Sequence, residues 1–457
     1  MTLLGPKVAA AKAVGTLVRA AGRGGGTSLP GKVLTRLEPH AIGLLSRQLA
    51  HGSAVISATN GKTTTAAMTA SVLERTGATL VHNRAGANMA GGVASALAAA
   101  SRRGGRELRG ELGLFEVDEF WLAAVVEELS PRAILLGNLF RDQLDRYGEL
   151  EIIADRWAEI VAGLDPATAL VLNADDPLVA DLGRKREATY FGVQDDALAL
   201  PELQHASDSK HCRRCGTAYV YEAAYLAHLG RYACPNCGAR RPEPAVSAAE
   251  VELRGIRSAA FTLGTPGGDR RIELPLPGLY NVYNALGAAA LCLRLGVPLD
   301  DVAAGLAAVE PAFGRAETIE LAGRSTSILL IKNPAGANEV LRTLALEAAQ
   351  LDLLGVLNDR IADGRDVSWV WDADWEIIAP HVRRLTCAGT RAAELALRLK
   401  YAGVPPERLD VVDDLEQALD RALAAGDGPL YALPTYTALL ELQDLLARRG
   451  HAQEYWR

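Results

Sequence analysis

The chain has 457 residues, three domains' worth at about 150 each, and is long enough to bury sizeable cores without disulfide staples. Its 48 Lys and Arg against 55 Asp and Glu give a net charge of −7, a poor basis for sequence-independent nucleic-acid binding or a polybasic membrane anchor. With 49% hydrophobic residues but no apolar run of about 18, and no signal-like core in Met1–Leu49, neither a transmembrane span nor a secretory signal is read, and the cell interior is expected.

The first 49 residues read as a helical segment, with Gly22–Gly26 as a flexible joint. Ser53-Ala-Val-Ile-Ser-Ala58 is a short apolar run and Lys62 to Leu73 has helix-forming composition, so the stretch predicts strand, loop and helix. Leu112–Val117, Ala133–Gly137 and Ala169–Asn173 repeat the buried-strand pattern, separated by helical stretches such as Leu150–Leu164. Such alternation predicts a parallel sheet covered on both faces. Around residues 195–250 the pattern breaks into a Cys-, His- and Pro-rich stretch, read as an insertion, before strands at Ala259–Leu263 and Ile272–Leu276. Asn281–Leu295 is an Ala-rich apolar helix and Pro311–Arg315 a hinge. A second alternation follows, with strands at Ser327–Ile331, Leu353–Leu357, Arg384–Ala388 and Pro429–Leu433 and helices at Asn338–Gln350 and Arg391–Ala402. The expected fold is α/β: residues 1–49 helical, 50–312 a central domain with an insertion at about 205–243, and 313–457 a C-terminal α/β domain of Rossmann-like type.

Ala58-Thr59-Asn60-Gly61-Lys62-Thr63-Thr64 lies between the first strand and helix. In such loops backbone N–H groups and the helix N-terminus face a polyphosphate, the lysine neutralises its oxygens and the next hydroxyl holds Mg2+. Lys62 and Thr63 take those parts, within a cradle of Thr59, Asn60, Gly61 and Thr64. The strict Gly-x-x-x-x-Gly-Lys-Ser/Thr form is not met, because Ile56 stands five before Gly61. The plainer alternative is a helix N-terminus with an exposed lysine.

Four of the six cysteines form Cys212-x-x-Cys215 and Cys234-x-x-Cys237, 18 residues apart and each pair followed by glycine, Gly216 and Gly238. That spacing predicts a closed structural Zn2+ site of four thiolates. His205, His211 and His228 are then read as surface histidines. Lys210, Arg213, Arg214, Arg231, Arg240 and Arg241 give the insertion a modest basic face, read as structural or partner-contacting. Cys292 reads as core, and Cys387 lacks the elbow and the histidine of a nucleophile.

These motifs resemble the Mur ligase family, the ATP-dependent acid–amine ligases of cell-wall synthesis, whose loop reads Gly-Thr-Asn-Gly-Lys-Thr; Ala58 replaces the first glycine. Glu116-Val-Asp-Glu119 is similar to the family's metal-binding acidic segment, Asn138 to Gly148 to its Asn-x-x-x-Asp-His-Leu-Asp motif, and Asn173-Ala-Asp-Asp-Pro177 to its Asn-x-Asp-Asp turn. Gly278 to Asn284 resembles the adenine-side helix start, Phe313 to Glu317 the hinge arginine segment, and Lys332-Asn-Pro334 the opening of the C-terminal domain. The resemblance implies ATP and Mg2+ as cofactors, Glu116 acting through the metal, Asn281 beside adenine and Arg315 on the transferring phosphoryl group. The chain departs from the family in having Gln143 for the histidine metal ligand, Arg156 for the lysine that many members carbamoylate, and Leu329-Leu-Ile without the acidic residue before the His-Asn-Pro string.

Only about 50 residues precede the loop strand, too few for the domain with which peptide-adding members grip a UDP-sugar precursor. With the four-cysteine insertion and Asn358-Asp359-Arg360-Ile-Ala-Asp363-Gly364-Arg-Asp366-Val-Ser-Trp-Val-Trp-Asp372, an acidic loop expected to lead into an aromatic strand, the chain resembles the amidating ligase subunits of this family. The resemblance implies that the α-carboxylate of D-glutamate in lipid II is activated as an acyl phosphate and amidated to D-isoglutamine. Ammonia would come from a GatD-like glutaminase in a heterodimer. An aspartate of the C-terminal domain would complete that partner's Cys/His pair, with Asp359, Asp363 and Asp366 as candidates and loop capping as the alternative for each. The enzyme is expected in the cytoplasm, meeting the inner face of the membrane through its lipid-linked substrate. A second reading is a stand-alone amino-acid-adding ligase like folylpolyglutamate synthase. A third, an RNA-binding zinc-ribbon module, is disfavoured by the acidic charge.

Overall fold

The computed structural model describes residues 4–20, 28–83, 87–102, 105–142, 150–205, 207–310, 315–347 and 350–451. The glycine joint at 22–26 and most of the hinge at 311–315 lie outside them. In chain order the first strands are β1 (Ser53–Ser57), β2 (Leu80–His82), β3 (Ser101–Arg102), β4 (Glu107–Leu108), β5 (Leu112–Glu116), β6 (Ala133–Leu136), β7 (Ala169–Asn173) and β8 (Thr189–Val193). They continue with the hairpin β9 (Val220–Leu226) and β10 (Leu229–Ala233), then β11 (Val246–Arg254), β12 (Ser258–Thr265) and β13 (Gly268–Leu274). Nine of these form one sheet in the order β13-β12-β11-β8-β7-β6-β1-β5-β2. It is parallel from β2 to β11 and ends in an antiparallel β11–β12–β13 meander.

Every residue of β1, β5 and β6 is buried, as parallel strands with both faces covered require. Ile56, Leu114 and Leu135 share a core with the helix Leu279–Arg294, while Val55, Phe115 and Ile134 share another with Leu97 and Trp157. From β1 the chain builds β2 and β5 on one side, then crosses to β6 on the other. This topological switch opens a crevice at the carboxyl ends of β1, β5 and β6, where a ligand is expected in an α/β sheet.

The second sheet contains β14 (Arg315–Leu321), β15 (Arg324–Leu329), β16 (Leu351–Val356), β17 (Val382–Ala388), β18 (Leu409–Val411) and β19 (Leu430–Pro434), in the order β14-β15-β19-β16-β17-β18. A β14–β15 hairpin leads into parallel pairings.

Two expectations need correction. The segment read as a break up to residue 250 already contains β11, which pairs in parallel with β8 through Val246–Ala248; charged Glu250, Glu252 and Arg254 on its outward positions concealed the strand. The aromatic segment after Asp366 is a 3-10 turn, Ser368–Trp371, and not a strand. Asp366 Oδ1 accepts the Ser368 N–H at 2.8 Å, and the turn buries Val370 against the indole N–H of Trp375, which donates to the Val370 carbonyl at 3.0 Å.

Candidate active site

The helix Lys62–Arg75 starts where β1 ends, with Gly61 at its N-cap in the left-handed region at φ +84°. A Cβ on Gly61 would come within 2.0 Å of Asn284 Oδ1, so glycine is required by both dihedral and space. Asn138, just past β6, ties the loop down: its carbonyl accepts the Thr59 N–H at 2.9 Å, its Oδ1 accepts the Asn60 N–H at 2.9 Å, and its Nδ2 donates to the Asn60 carbonyl at 3.0 Å. Thr59 Oγ1 accepts the Phe140 N–H at 3.1 Å.

Lys62 Nζ donates to Glu119 Oε2 at 2.8 Å and to the Ala58 carbonyl at 2.5 Å, and both side chains of the ion pair are nearly buried. Burial alone would disfavour the ammonium, but Glu119 and Asp118 outweigh it and hold its pKa above the ordinary lysine value. Burial likewise works against the Glu119 carboxylate, and Lys62 and Lys332 overcome it, holding its pKa low. Thr63 Oγ1 donates to Glu116 Oε1 at 2.9 Å. Asn83 fixes Glu116 by accepting its backbone N–H at 3.0 Å and donating to its carbonyl at 2.7 Å. A hydroxyl and a carboxylate oxygen side by side at a loop–helix junction are the hard donors that Mg2+ prefers.

At the start of the helix Leu279–Arg294, buried Asn281 donates to the Pro277 carbonyl at 2.7 Å and accepts from Asn284 at 3.1 Å, and Asn284 in turn abuts Gly61. From the segment after β15, Asn333 Nδ2 donates to Asn60 Oδ1 at 2.9 Å and Lys332 Nζ to Asp142 Oδ2 at 2.5 Å. Gln143 and the Arg315 side chain lie outside the described residues. The Arg156 guanidinium sits over the Phe120 ring, 4.8 Å from its centroid.

In the insertion, the ligand atoms of Cys212, Cys215, Cys234 and Cys237 lie within 4.8 Å of one another. Gly216 and Gly238 take left-handed φ values of 75° and 72° and return their N–H groups to the Cys212 and Cys234 carbonyls, which folds each pair into a knuckle. Four convergent sulfurs are the donor set of a structural zinc. The basic face is largely neutralised within the chain: Arg213 pairs with Asp155, Arg214 with Asp181, Arg231 with Asp196 and Arg241 with Asp175.

His205 and His211 are exposed, but His228 is fully buried and is no surface histidine. Its ring packs 4.8 Å from that of Phe140, and Nε2 lies 3.5 Å from Asp176 Oδ2, which also accepts the Leu139 N–H at 2.8 Å. The β9–β10 turn thus presses on the segment that ties down the Thr59–Thr64 loop.

Sequence reasoning also missed the role of Asp175. Fully buried, it accepts from Arg241 Nε at 2.6 Å, from Tyr283 OH at 2.6 Å and from Val193 N–H at 2.9 Å. It joins the insertion to the helix that carries Asn281. Burial raises its pKa, with Arg241 and Tyr283 opposing that rise.

The three aspartates of the C-terminal loop differ. Buried Asp363 accepts the Thr437 N–H at 2.7 Å and the Thr437 hydroxyl at 2.5 Å, fastening the start of the helix Tyr436–Arg448. Asp359 accepts from Thr390 Oγ1 at 2.7 Å and Arg391 Nε at 2.8 Å, and both contacts lower its pKa. Exposed Asp366 accepts the Ser368 N–H and, among the described residues, holds no other group. Cys292 and Cys387 are completely buried, and desolvation pushes the Cys387 thiol up to about 12, which leaves it inert.

Residues 56–239 match the family described as Mur ligase middle domain, and residues 330–439 that described as MurT ligase C-terminal. The chain is 33% identical over 429 residues to the MurT subunit of the lipid II isoglutaminyl synthase (glutamine-hydrolyzing) of Streptococcus pneumoniae, covering 93% of both chains. It is 32% identical over 426 residues to the MurT subunit from Staphylococcus aureus, again over 93% of both. Among solved structures, a pseudomurein peptide ligase type C from Methanothermus fervidus superposes with a TM-score of 0.69 at 23% identity, covering 89% of this chain and 80% of that one. A Mycobacterium tuberculosis folylpolyglutamate synthase complexed with ADP does so with a TM-score of 0.63 at 18% identity, covering 97% and 99%. These two likenesses bear on fold alone. With its central and C-terminal portions both matched, the chain belongs to the Mur ligase family, in its MurT branch.

Proposed function

We propose that the protein is the ligase subunit of a glutamine-dependent enzyme that amidates the D-glutamate α-carboxylate of lipid II to D-isoglutamine. The observation that carries this reading is the match, over 93% of both chains, to relatives named as the MurT subunit of lipid II isoglutaminyl synthase. The acceptor carboxylate attacks the γ-phosphorus of ATP; an O–P bond forms, the bond to ADP breaks, and an acyl phosphate results. Ammonia then adds to the carbonyl carbon, the C–O bond to phosphate breaks, and a proton leaves the nitrogen. Mg2+, when bound, neutralises phosphate oxygens.

Thr59, Asn60, Gly61 and Thr64 shape the phosphate cradle, and Lys62 exchanges Glu119 for phosphate oxygens. Thr63 and Glu116 hold the metal, and Asn281 and Arg315 serve the adenine and phosphoryl sides. Cys212, Cys215, Cys234 and Cys237 bind a structural Zn2+. Functional boundaries follow residues 1–49, 50–312 and 313–457. The partner is a GatD-like glutaminase, and the pair works at the inner face of the membrane by way of lipid II. No helix among the described residues is long and apolar enough to cross a membrane.

Of the three aspartates, Asp366 is the one free to orient a partner histidine, because Asp363 anchors a helix and Asp359 is clamped by Thr390 and Arg391. The test is co-purification with the glutaminase followed by amidation of lipid II. Wild type should use glutamine or ammonia, whereas Asp366→Asn should retain ammonia-dependent turnover and lose glutamine-dependent turnover. Failure of both nitrogen sources in wild type would contradict the reading.

A further inference from the structure

We infer that Lys332 delivers to the reacting phosphoryl group the positive charge that a second metal ion would bring, so that this chain works with one magnesium ion. The inference rests on the proposed ligase reaction.

Three placements carry it. Arg156, at the position where the family resemblance expects a carbamoylated lysine, holds its guanidinium 4.8 Å above the Phe120 ring. A stacked cation there can neither carry a carbamate at neutral pH nor ligate a metal. Lys332, in the segment after β15, reaches across to Asp142 at 2.5 Å, and its neighbour Asn333 hydrogen-bonds Asn60 of the phosphate loop. The ammonium is therefore held where the segment after β15 meets the Thr59–Thr64 loop and the chain that follows β6.

The pairing with Asp142 is unequal. Among the described residues the aspartate's other oxygen, Oδ1, is buried without a hydrogen-bond partner, so Asp142 keeps the ammonium at the seam as an incompletely neutralised anion. A divalent ion on the same carboxylate would repel that ammonium at close range. When ATP and the acceptor carboxylate are both bound, Lys332 has flexible methylenes and three donors with which to turn from Asp142 to the transferring oxygens. In the proposed step it stabilises the charge developing on the phosphoryl oxygens and takes or gives no proton.

The test uses the zinc-replete complex with its glutaminase, comparing wild type, Lys332→Met and Lys332→Arg. Three quantities are measured: affinity for a fluorescent ADP analogue, acyl phosphate trapped as hydroxamate, and the number of Mn2+ ions bound per ADP-loaded ligase chain by EPR. The inference expects one Mn2+ per chain. It also expects K332M to bind the ADP analogue within about threefold of wild type yet lose at least about 100-fold in hydroxamate formation, with K332R recovering most of that loss. Two Mn2+ ions per chain, hydroxamate formation by K332M within about threefold of wild type, or loss of ADP binding in parallel with turnover would each overturn it. Wild type that yields neither amide nor hydroxamate would instead count against the ligase reading, while the Mn2+ count would still decide the metal stoichiometry.

Discussion

Arg241→Met should uncouple the four-cysteine insertion from the nucleotide site, because it removes the cation from a fully buried carboxylate. Asp175 has no exposed surface, and the Arg241 side chain is 6% exposed, so water cannot replace the lost partner. Breaking such a pair costs about 3–5 kcal/mol, or roughly two to three and a half decades in the local equilibrium. Tyr283 and the Val193 N–H remain on Asp175 and keep the loss within that range. Burial already holds the Asp175 pKa above its ordinary value, and removing Arg241 raises it further. A carboxyl with a raised folded-state pKa destabilises the fold above that pKa, and the penalty fades as pH falls and the folded form takes up a proton. The deficit of R241M relative to wild type, read by thermal and denaturant unfolding across a pH series, should therefore shrink as the pH is lowered from neutrality toward the ordinary carboxyl range. Asp175→Asn combined with R241M should recover most of the loss, since no charge stays buried. A deficit below about 1 kcal/mol, or one unchanged over that pH range, would refute the reasoning.

Removing the ribbon metal, by chelation or by Cys234→Ser with Cys237→Ser, should lower zinc content from about one ion per chain to near none and weaken nucleotide affinity in parallel. The reason is that His228 and Arg241 brace the nucleotide site from the insertion; elemental analysis beside ADP binding checks it, and full affinity without zinc would contradict it. Gly61→Ala should cost about 1–2 kcal/mol for the left-handed dihedral alone, with a further penalty as Asn284 is pushed from its bond to Thr65. Calorimetric ADP titration should show a loss greater than tenfold, and unchanged affinity would count against the cradle geometry.

What was legible in the sequence was local. The β1–loop–helix unit could be read because a parallel strand is a continuous apolar run and because Gly61 and Lys62 sit at the junction itself. The cysteine knuckles were legible for the same reason: Cys212 and Gly216 close one turn within five residues. Asp175 could be placed on a turn but not recognised as a hub, since its partners Arg241 and Tyr283 lie 66 and 108 residues away. His228 reads as a surface residue beside a cysteine cluster, and the packing of the hairpin on Phe140 and Asp176 buries it. Lys332 and Asp142, 190 residues apart, meet because two separate sheets converge, which no local pattern encodes. The tryptophans after Asp366 suggested a strand by composition, yet a cap on Ser368 bends them into a turn.

The central claim is that the loop Thr59–Thr64 holds the terminal phosphates of ATP so that a carboxylate can be activated. The most direct measurement is hydroxamate and ADP formation from ATP and lipid II by the complex with its glutaminase, wild type against Lys62→Ala. Loss of the buried cation should lower both products together by at least about 100-fold while glutamine hydrolysis by the partner continues. Product formation by K62A at the wild-type rate would contradict the account.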